Sequence, residues 1–160
     1  MQKFCPACSD VLGEDEIAGR RRLACRRPGC GYVYWNNPLP VVAGLVERDG
    51  MIVLARNHAW PEKMFGLVTG FLERDETPEE GAAREVKEEL GLDAQSARLI
   101  GVYPFQRKNE IILAYHVVAA GEIVLNEELA EYRLIPPAKL RPWDFGTGLA
   151  IRDWLASRQA

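Results

Sequence analysis

No apolar run in the chain is long enough to cross a bilayer. The two longest, near Leu39–Val46 and Ile111–Ala120, fall well short of the roughly 20 residues a spanning helix needs. The opening residues MQKFCPAC lack the apolar core of a secretory leader, and the sequence reads as that of a cytoplasmic protein. Low-complexity tracts and internal repeats are also missing, which excludes fibrous and solenoid architectures. Charge of one sign is not in excess: 20 Lys and Arg against 23 Asp and Glu leave a net charge of −3. That balance argues against a nucleic-acid partner, and an anionic ligand has to be drawn by local groups or metal. Beyond Cys30 there is no cysteine, and no Ser or Cys nucleophile motif accompanies His58. The 160 residues suffice for one medium domain and a small accessory module.

What is present is concentrated in Gly70–Leu92, GFLERDETPEEGAAREVKEELGL. Thr77 as N-cap, Pro78 at the first helical position and Glu80 completing a capping box start a helix, and Gly91 stops it. Ala83, Val86 and Leu90 recur at helical spacing as its inward face. Spacings of three and four put Glu85, Glu88 and Glu89 on one face. These charges suit a structural helix badly. Glu88 and Glu89 oppose the macrodipole by about 0.3–1 kcal/mol each, and Glu85 adds roughly 0.2–0.5 kcal/mol of repulsion per pair. A divalent cation would turn the three carboxylates into ligands, and oxygen donors of this kind suit Mg²⁺ or Mn²⁺. For the helix taken alone, a solvated acidic face is the alternative.

The whole stretch fits G-x5-E-x7-R-E-U-x-E-E-x-G-U, with U apolar, at Gly70, Glu76, Arg84, Glu85, Val86, Glu88, Glu89, Gly91 and Leu92. Seven fixed residue types at about 5–7% usage each put a chance match at a given start below about 10⁻⁷. The stretch resembles the Nudix box. The resemblance implies an α+β fold, an α/β/α sandwich with a mixed sheet, in which the box is a loop-helix-loop. It implies a hydrolase of nucleoside diphosphates linked to another moiety. Gly70 (by its carbonyl), Glu85, Glu88 and Glu89 would hold Mg²⁺ or Mn²⁺ for catalysis. Arg84 would pin the box by pairing with one of its glutamates, and Glu76 would be structural.

All four cysteines lie in two short pairs, Cys5-Pro-Ala-Cys8 and Cys25-Arg-Arg-Pro-Gly-Cys30. This spacing suits a tetrahedral Cys₄ Zn²⁺ site joining two knuckles, with a hairpin from Val11-Leu12 to Arg21–Ala24 between them. Disulfides are the alternative, and a reducing compartment argues against them. Arg20, Arg21, Arg22, Arg26 and Arg27 form a basic cluster, but four thiolates on zinc and Asp10, Glu14, Asp15 and Glu16 bring the module near neutrality. The reading is a zinc ribbon at residues 1–36 with a structural or dimer-forming role, followed by a Nudix domain at 37–160.

A Cys₄ ribbon directly before a Nudix domain is similar to the NADH pyrophosphatase group and its shorter relatives acting on ADP-ribose or FAD, and implies a homodimer. Members of that group carry S-Q-P-W-P-F-P-x-S after the box. Here Gly101–Lys108 keeps only Pro104-Phe105 and an aromatic before them, so NADH specificity is not implied. Leu39–Arg48 and Met51–Arg56 form a hairpin at Asp49-Gly50, Gly66–Thr69 is a short strand, and Ala97–Gln106 pairs with Glu110–Ala120. Ile123–Leu125 and Tyr132–Ile135 read as shorter strands, and Thr147–Ser157 as a closing amphipathic helix with Ile151, Trp154 and Leu155 inward. Arg56 is a candidate phosphate contact or a plain solvated strand end. Tyr103 and Phe105 are candidates to stack a base, or core. Glu128, ahead of Glu127 and Glu131, is the candidate downstream carboxylate, as metal ligand or general base. The expected reaction is metal-dependent cleavage of a pyrophosphate bond in a small nucleotide of NADH, ADP-ribose or FAD type. The competing class is a non-catalytic nucleotide-sensing or RNA-binding regulator.

Overall fold

The computed structural model describes residues 2–158. They divide between Asn37 and Pro38 into two compact units. In the first, strands β1 (Leu12–Ile17), β2 (Arg20–Cys25) and β3 (Val33–Tyr34) make an antiparallel sheet in that order. Ala18 and Gly19, both at positive φ (52° and 71°), give the two-residue turn whose twist matches the flanking strands. Acidic β1 faces basic β2, so Glu14 pairs with Arg21, and Asp15 pairs with Arg26, just past the end of β2, at 3.1 Å. The arginine run is therefore partly neutralised within its own sheet.

The second unit is built on β4 (Leu39–Arg48), whose residues from Val41 to Val46 are all buried. Asp49 and Gly50, at φ 51° and 74°, turn it into β5 (Met51–Asn57), as the Asp-Gly pair predicts. The remaining elements are β6 (Val68–Phe71), α1 (Pro78–Leu90), β7 (Asp93–Phe105), β8 (Glu110–Ala120), β9 (Leu129–Ile135) and α2 (Thr147–Ser157). The sheet runs β7-β8-β4-β5-β9 and is mixed, because β4 and β8 are parallel while the other pairs are antiparallel. β4 is shared along its length. Its first half, Val41–Gly44, pairs with β6 and its end, from Val46 to Arg48, pairs with β5.

Alternation along β4 sends side chains to two cores. Val42 and Val46 pack with Val86 and Leu90 of α1. Val41, Ala43 and Leu45 point the other way, beneath Ala150, Ile151 and Trp154 of α2. Each fully buried Val, Leu or Ile contributes about 1.5–3 kcal/mol against solvent exposure, and this fixes helix, sheet and helix as three layers. No described helix is long and apolar enough to cross a membrane.

The structure shifts several sequence expectations. The inward face of α1 is Ala82, Val86 and Leu90, with Ala83 only half-buried. β6 begins two residues after Gly66, which instead makes an isolated bridge to Ala55. β7 starts at Asp93, and β9 at Leu129. Ile123–Leu125 is not a strand. Ile123 and Leu125 pack on the α1 core, while the amides of Val124 and Asn126 donate to the carbonyls of Leu90 and Glu89 (2.9 and 3.2 Å). That segment satisfies carbonyls which the end of α1 leaves without a helical partner.

Candidate active site

The predicted capping box forms. Glu80 N–H donates to Thr77 Oγ1 at 3.3 Å, and Thr77 N–H donates to the Glu80 carboxylate at 2.7 Å. Gly91 stops the helix in the left-handed region at φ 72°, its N–H on Lys87 O. Between these ends Arg84 is a hub. It donates twice to Glu76 (2.9 and 3.0 Å), to Glu85 at 2.7 Å, to Glu88 at 3.1 Å and to the Phe71 carbonyl at 3.0 Å. Arg84, with the Glu73 amide, holds the Glu76 carboxyl down at about 2. One guanidinium thus ties strand, loop and helix together.

Glu89 receives none of that charge. It is the one buried charged residue among the described residues, 8% exposed, and no cation pairs with it there. Burial pushes its carboxyl up to about 8, and the charges of Glu85, Glu128 and Glu88 add to the effect. Glu85 is also raised, by burial first, with Arg84 opposing and Glu88 and Glu128 reinforcing. Across from it lies Gly70, where an added Cβ would overlap the Glu85 carboxylate. Its backbone is not at positive φ, so what a side chain there would disturb is the Glu85 carboxylate. A buried carboxyl that no cation helps to ionise, coupled to a second carboxylate pressed on bare backbone, fits a divalent cation with oxygen donors.

Glu128 stands in an exposed turn, its N–H on Asn126 Oδ1 at 3.0 Å, and its charge bears on both Glu85 and Glu89. Glu131 is bound instead to Arg56, at 2.9 Å across β5 and β9. Arg56 is therefore neither a solvated strand end nor a free cation. Its side chain is 17% exposed and committed to Glu131.

On the α2 side of the sheet lies a cleft of about 400 Å³, walled by Trp60, Phe65, Phe105, Trp143 and Phe145. Lys63, Lys108 and Glu110 are its charged members. Phe105 is in place to stack a ring. Tyr103 is not: its ring is buried beneath α2 and its hydroxyl donates to Asp153 at 2.8 Å. Burial, then Asp153, pushes that phenol up to about 12. The two residues share a strand face, but only Phe105 reaches past the start of α2, 3.8 Å from where a Gly146 Cβ would stand. Thr69 lines the cleft while its neighbour Gly70 meets Glu85, so β6 connects the two regions.

The NUDIX domain matches residues 37–154. The chain belongs to the Nudix family. Among curated relatives it is 30% identical over 130 residues to the NAD-capped RNA hydrolase NudC of Stutzerimonas stutzeri, across 81% of this chain and 46% of that protein. The chain spans less than half the length of the curated relatives it matches. In fold it is similar to a NUDIX hydrolase from Nitrosomonas europaea (TM-score 0.81, 23% identity, 99% of this chain and 93% of that one). An ADP-ribose pyrophosphatase from Streptococcus suis is a further neighbour, at TM-score 0.63 and 18% identity over 78% of this chain and 94% of that one.

Apart from its Nudix box, the chain gathers the four thiols. Cys5, Cys8, Cys25 and Cys30 are free, and their Sγ atoms all lie within 4.8 Å of one another. The Cys5–Cys30 and Cys8–Cys25 separations are 3.6 and 3.4 Å. A disulfide needs about 2.05 Å, whereas a tetrahedron of bonds about 2.3 Å long has an edge of roughly 3.8 Å. The donor set thus fits a closed thiolate metal site. The Asp10 amide lowers the Cys8 thiol to about 7. At Cys25 the Arg27 amide pulls down, but burial and the neighbouring sulfurs outweigh it and push the thiol up to about 12.

Of the cleft residues, only Phe105 was marked as a contact by the sequence. The other rings, Trp60, Phe65, Trp143 and Phe145, come from loops, where neither period 2 nor period 3.6 applies. The signal that could have found them is the density of Trp and Phe in turns rather than in strands.

Proposed function

We propose that this Nudix domain hydrolyses the pyrophosphate bond of a nucleoside diphosphate derivative of NAD(H), ADP-ribose or FAD type, releasing a nucleoside monophosphate and the phosphorylated second moiety. The observation that carries this reading is Glu89, a buried carboxyl with no cation partner among the described residues, coupled by charge to Glu85, which itself lies against Gly70. Glu85, Glu88, Glu89 and the Gly70 carbonyl hold Mg²⁺ or Mn²⁺, and the four cysteines hold a structural Zn²⁺. A divalent ion in such a site neutralises phosphoryl oxygens and acidifies bound water. The chain's own groups do the rest. Glu128, with Glu85 behind it, takes the proton of the attacking water. The water oxygen bonds to one phosphorus as the bridging P–O bond breaks, and the bridging oxygen leaves on the other phosphate. Phe105, Trp60 and Phe145 hold the base by stacking, with Lys63 and Lys108 as the nearby positive charges.

Incubation with Mg²⁺ or Mn²⁺ and NADH, ADP-ribose or FAD should release AMP, and Glu89→Gln should abolish it. A protein that binds these nucleotides and cuts none of them is the recognition-only regulator. A capped transcript is the second candidate, because the curated relatives are named for NAD-capped RNA. It runs against the absence of net positive charge and the internal pairing of Arg21 and Arg26. The transcript assayed beside free NAD decides between them. The homodimer belongs to the same reading, and sedimentation tests it.

A further inference from the structure

Resting on that reading, the cleft contains one group that stacking and metal chemistry leave unused. Glu110 opens β8 directly opposite Phe105 across the β7–β8 pair, so both side chains face the cleft from adjacent strands. Ile112, two residues on, and Val41, its register partner on β4, continue that lining as aliphatic surface. Glu110 is half-buried there. Among the described residues no ion pair reaches it, although Lys108 lines the same cleft. A carboxylate only accepts hydrogen bonds. Set among rings and aliphatic chains, it favours a ligand edge that brings N–H donors.

We infer that Glu110 is a specificity-determining residue that accepts a hydrogen bond from the amino group of an adenine stacked on Phe105. The cleft thereby selects 6-amino over 6-oxo purines. Hypoxanthine, alike in shape, presents oxygen lone pairs where adenine presents N6–H. That replaces a charge-assisted hydrogen bond by a repulsion between two acceptors. Bonds to charged groups are worth about 1.5–3 kcal/mol, or roughly 10- to 100-fold. A site built around such a contact rejects the analogue that lacks it.

The test uses the full chain and two readouts. AMP and IMP are titrated against the fluorescence of Trp60 and Trp143, which line the cleft. In parallel, kcat/KM is compared for NAD and nicotinamide hypoxanthine dinucleotide. The wild type should prefer the adenine ligand by about 10-fold or more in both. Glu110→Gln, whose amide offers a donor as well as an acceptor, should bring both ratios within about 2-fold of unity, mainly by weakening AMP. Glu110→Asp, which keeps the carboxylate, should retain the direction of preference. A wild type indifferent to the 6-substituent, or a preference unchanged in a folded Glu110→Gln protein, overturns the inference and leaves the hydrolase standing. If no dinucleotide is cut while AMP binding still exceeds IMP binding through Glu110, the hydrolase reading falls and this one survives.

Discussion

The two groups of candidate metal ligands are built in opposite ways. Four thiols crowd within 4.8 Å, each within reach of every other, and the strands around them are short. The carboxylates of α1 are held apart: Arg84 occupies Glu85 and Glu88, and Glu89 is sunk alone into the sheet side of the helix. A closed tetrahedral set leaves no open position, which is the mark of an ion that builds a fold. A dispersed oxygen set on a well-capped helix, beside an open cleft, leaves room for substrate. Under the proposed function the ribbon would depend on its ion to fold, whereas α1 has its own caps and packing and keeps Glu89 buried without a cation partner.

The strongest way to break this contrast is at the thiols. Cys25→Ser should remove close to one zinc per chain, measured by elemental analysis, and unfold the ribbon. Structural sites of this kind supply about 10–16 kcal/mol of apparent binding energy. Amide exchange in the second unit should stay protected. If the ribbon amides also stay protected, it does not need its metal. At the carboxylates the expected outcome is reversed. Glu89→Gln should lower kcat by roughly 10³-fold or more, about 4 kcal/mol of barrier, without loss of helical circular dichroism. Gly70→Ala should cost about 10²-fold by displacing the Glu85 carboxylate, and its melting temperature should scarcely move, because a flexible side-chain end can swing away. Unfolding by Gly70→Ala would instead make the glycine structural.

The smallest effect is a pH slope. With Mg²⁺ and Mn²⁺ absent, the folded protein keeps a proton on Glu89 between the ordinary value of 4.5 and about 8, while the unfolded chain has released it. Stability contributed by that proton is complete below about 4.5 and is lost as pH rises through about 8. The melting temperature should fall by about 3 °C or more between pH 5 and 8. Both Glu89→Gln and added Mn²⁺ should flatten the slope. A slope unchanged by either places the titrating group elsewhere.

Features with local causes were legible in the sequence. The limits of α2 follow its amphipathic pattern, with no side-chain cap at its start. The caps of α1 match residue for residue, because capping and turn chemistry act within four positions. The hairpin at Asp49-Gly50 follows for the same reason. The phase of α1 was misread by one alanine, since Ala82 and Ala83 look alike and the inward turn of Glu89 carries no apolar signal. Arg56 and Glu131 meet only through a β5–β9 register spanning 75 residues. Tyr103 and Phe105 share one strand face and differ only in what α2 covers. The cleft has no local signature because three segments far apart in sequence supply its rings.

The segment closing the end of α1 has a consequence for how this region can vary. Val124 and Asn126 hold Leu90 and Glu89 through main-chain amides alone, and Glu128 follows two positions later. The exposed side chains at 124 and 127 can change without touching those amides, proline at 124 excepted because it has no N–H. Ile123 and Leu125, by contrast, pack on the α1 core, and the Asn126 side chain accepts from the Glu128 amide. Removing or inserting a single residue would break the spacing and carry the downstream carboxylate away from the helix end. The loop is thus permissive at its outward positions and strict in length.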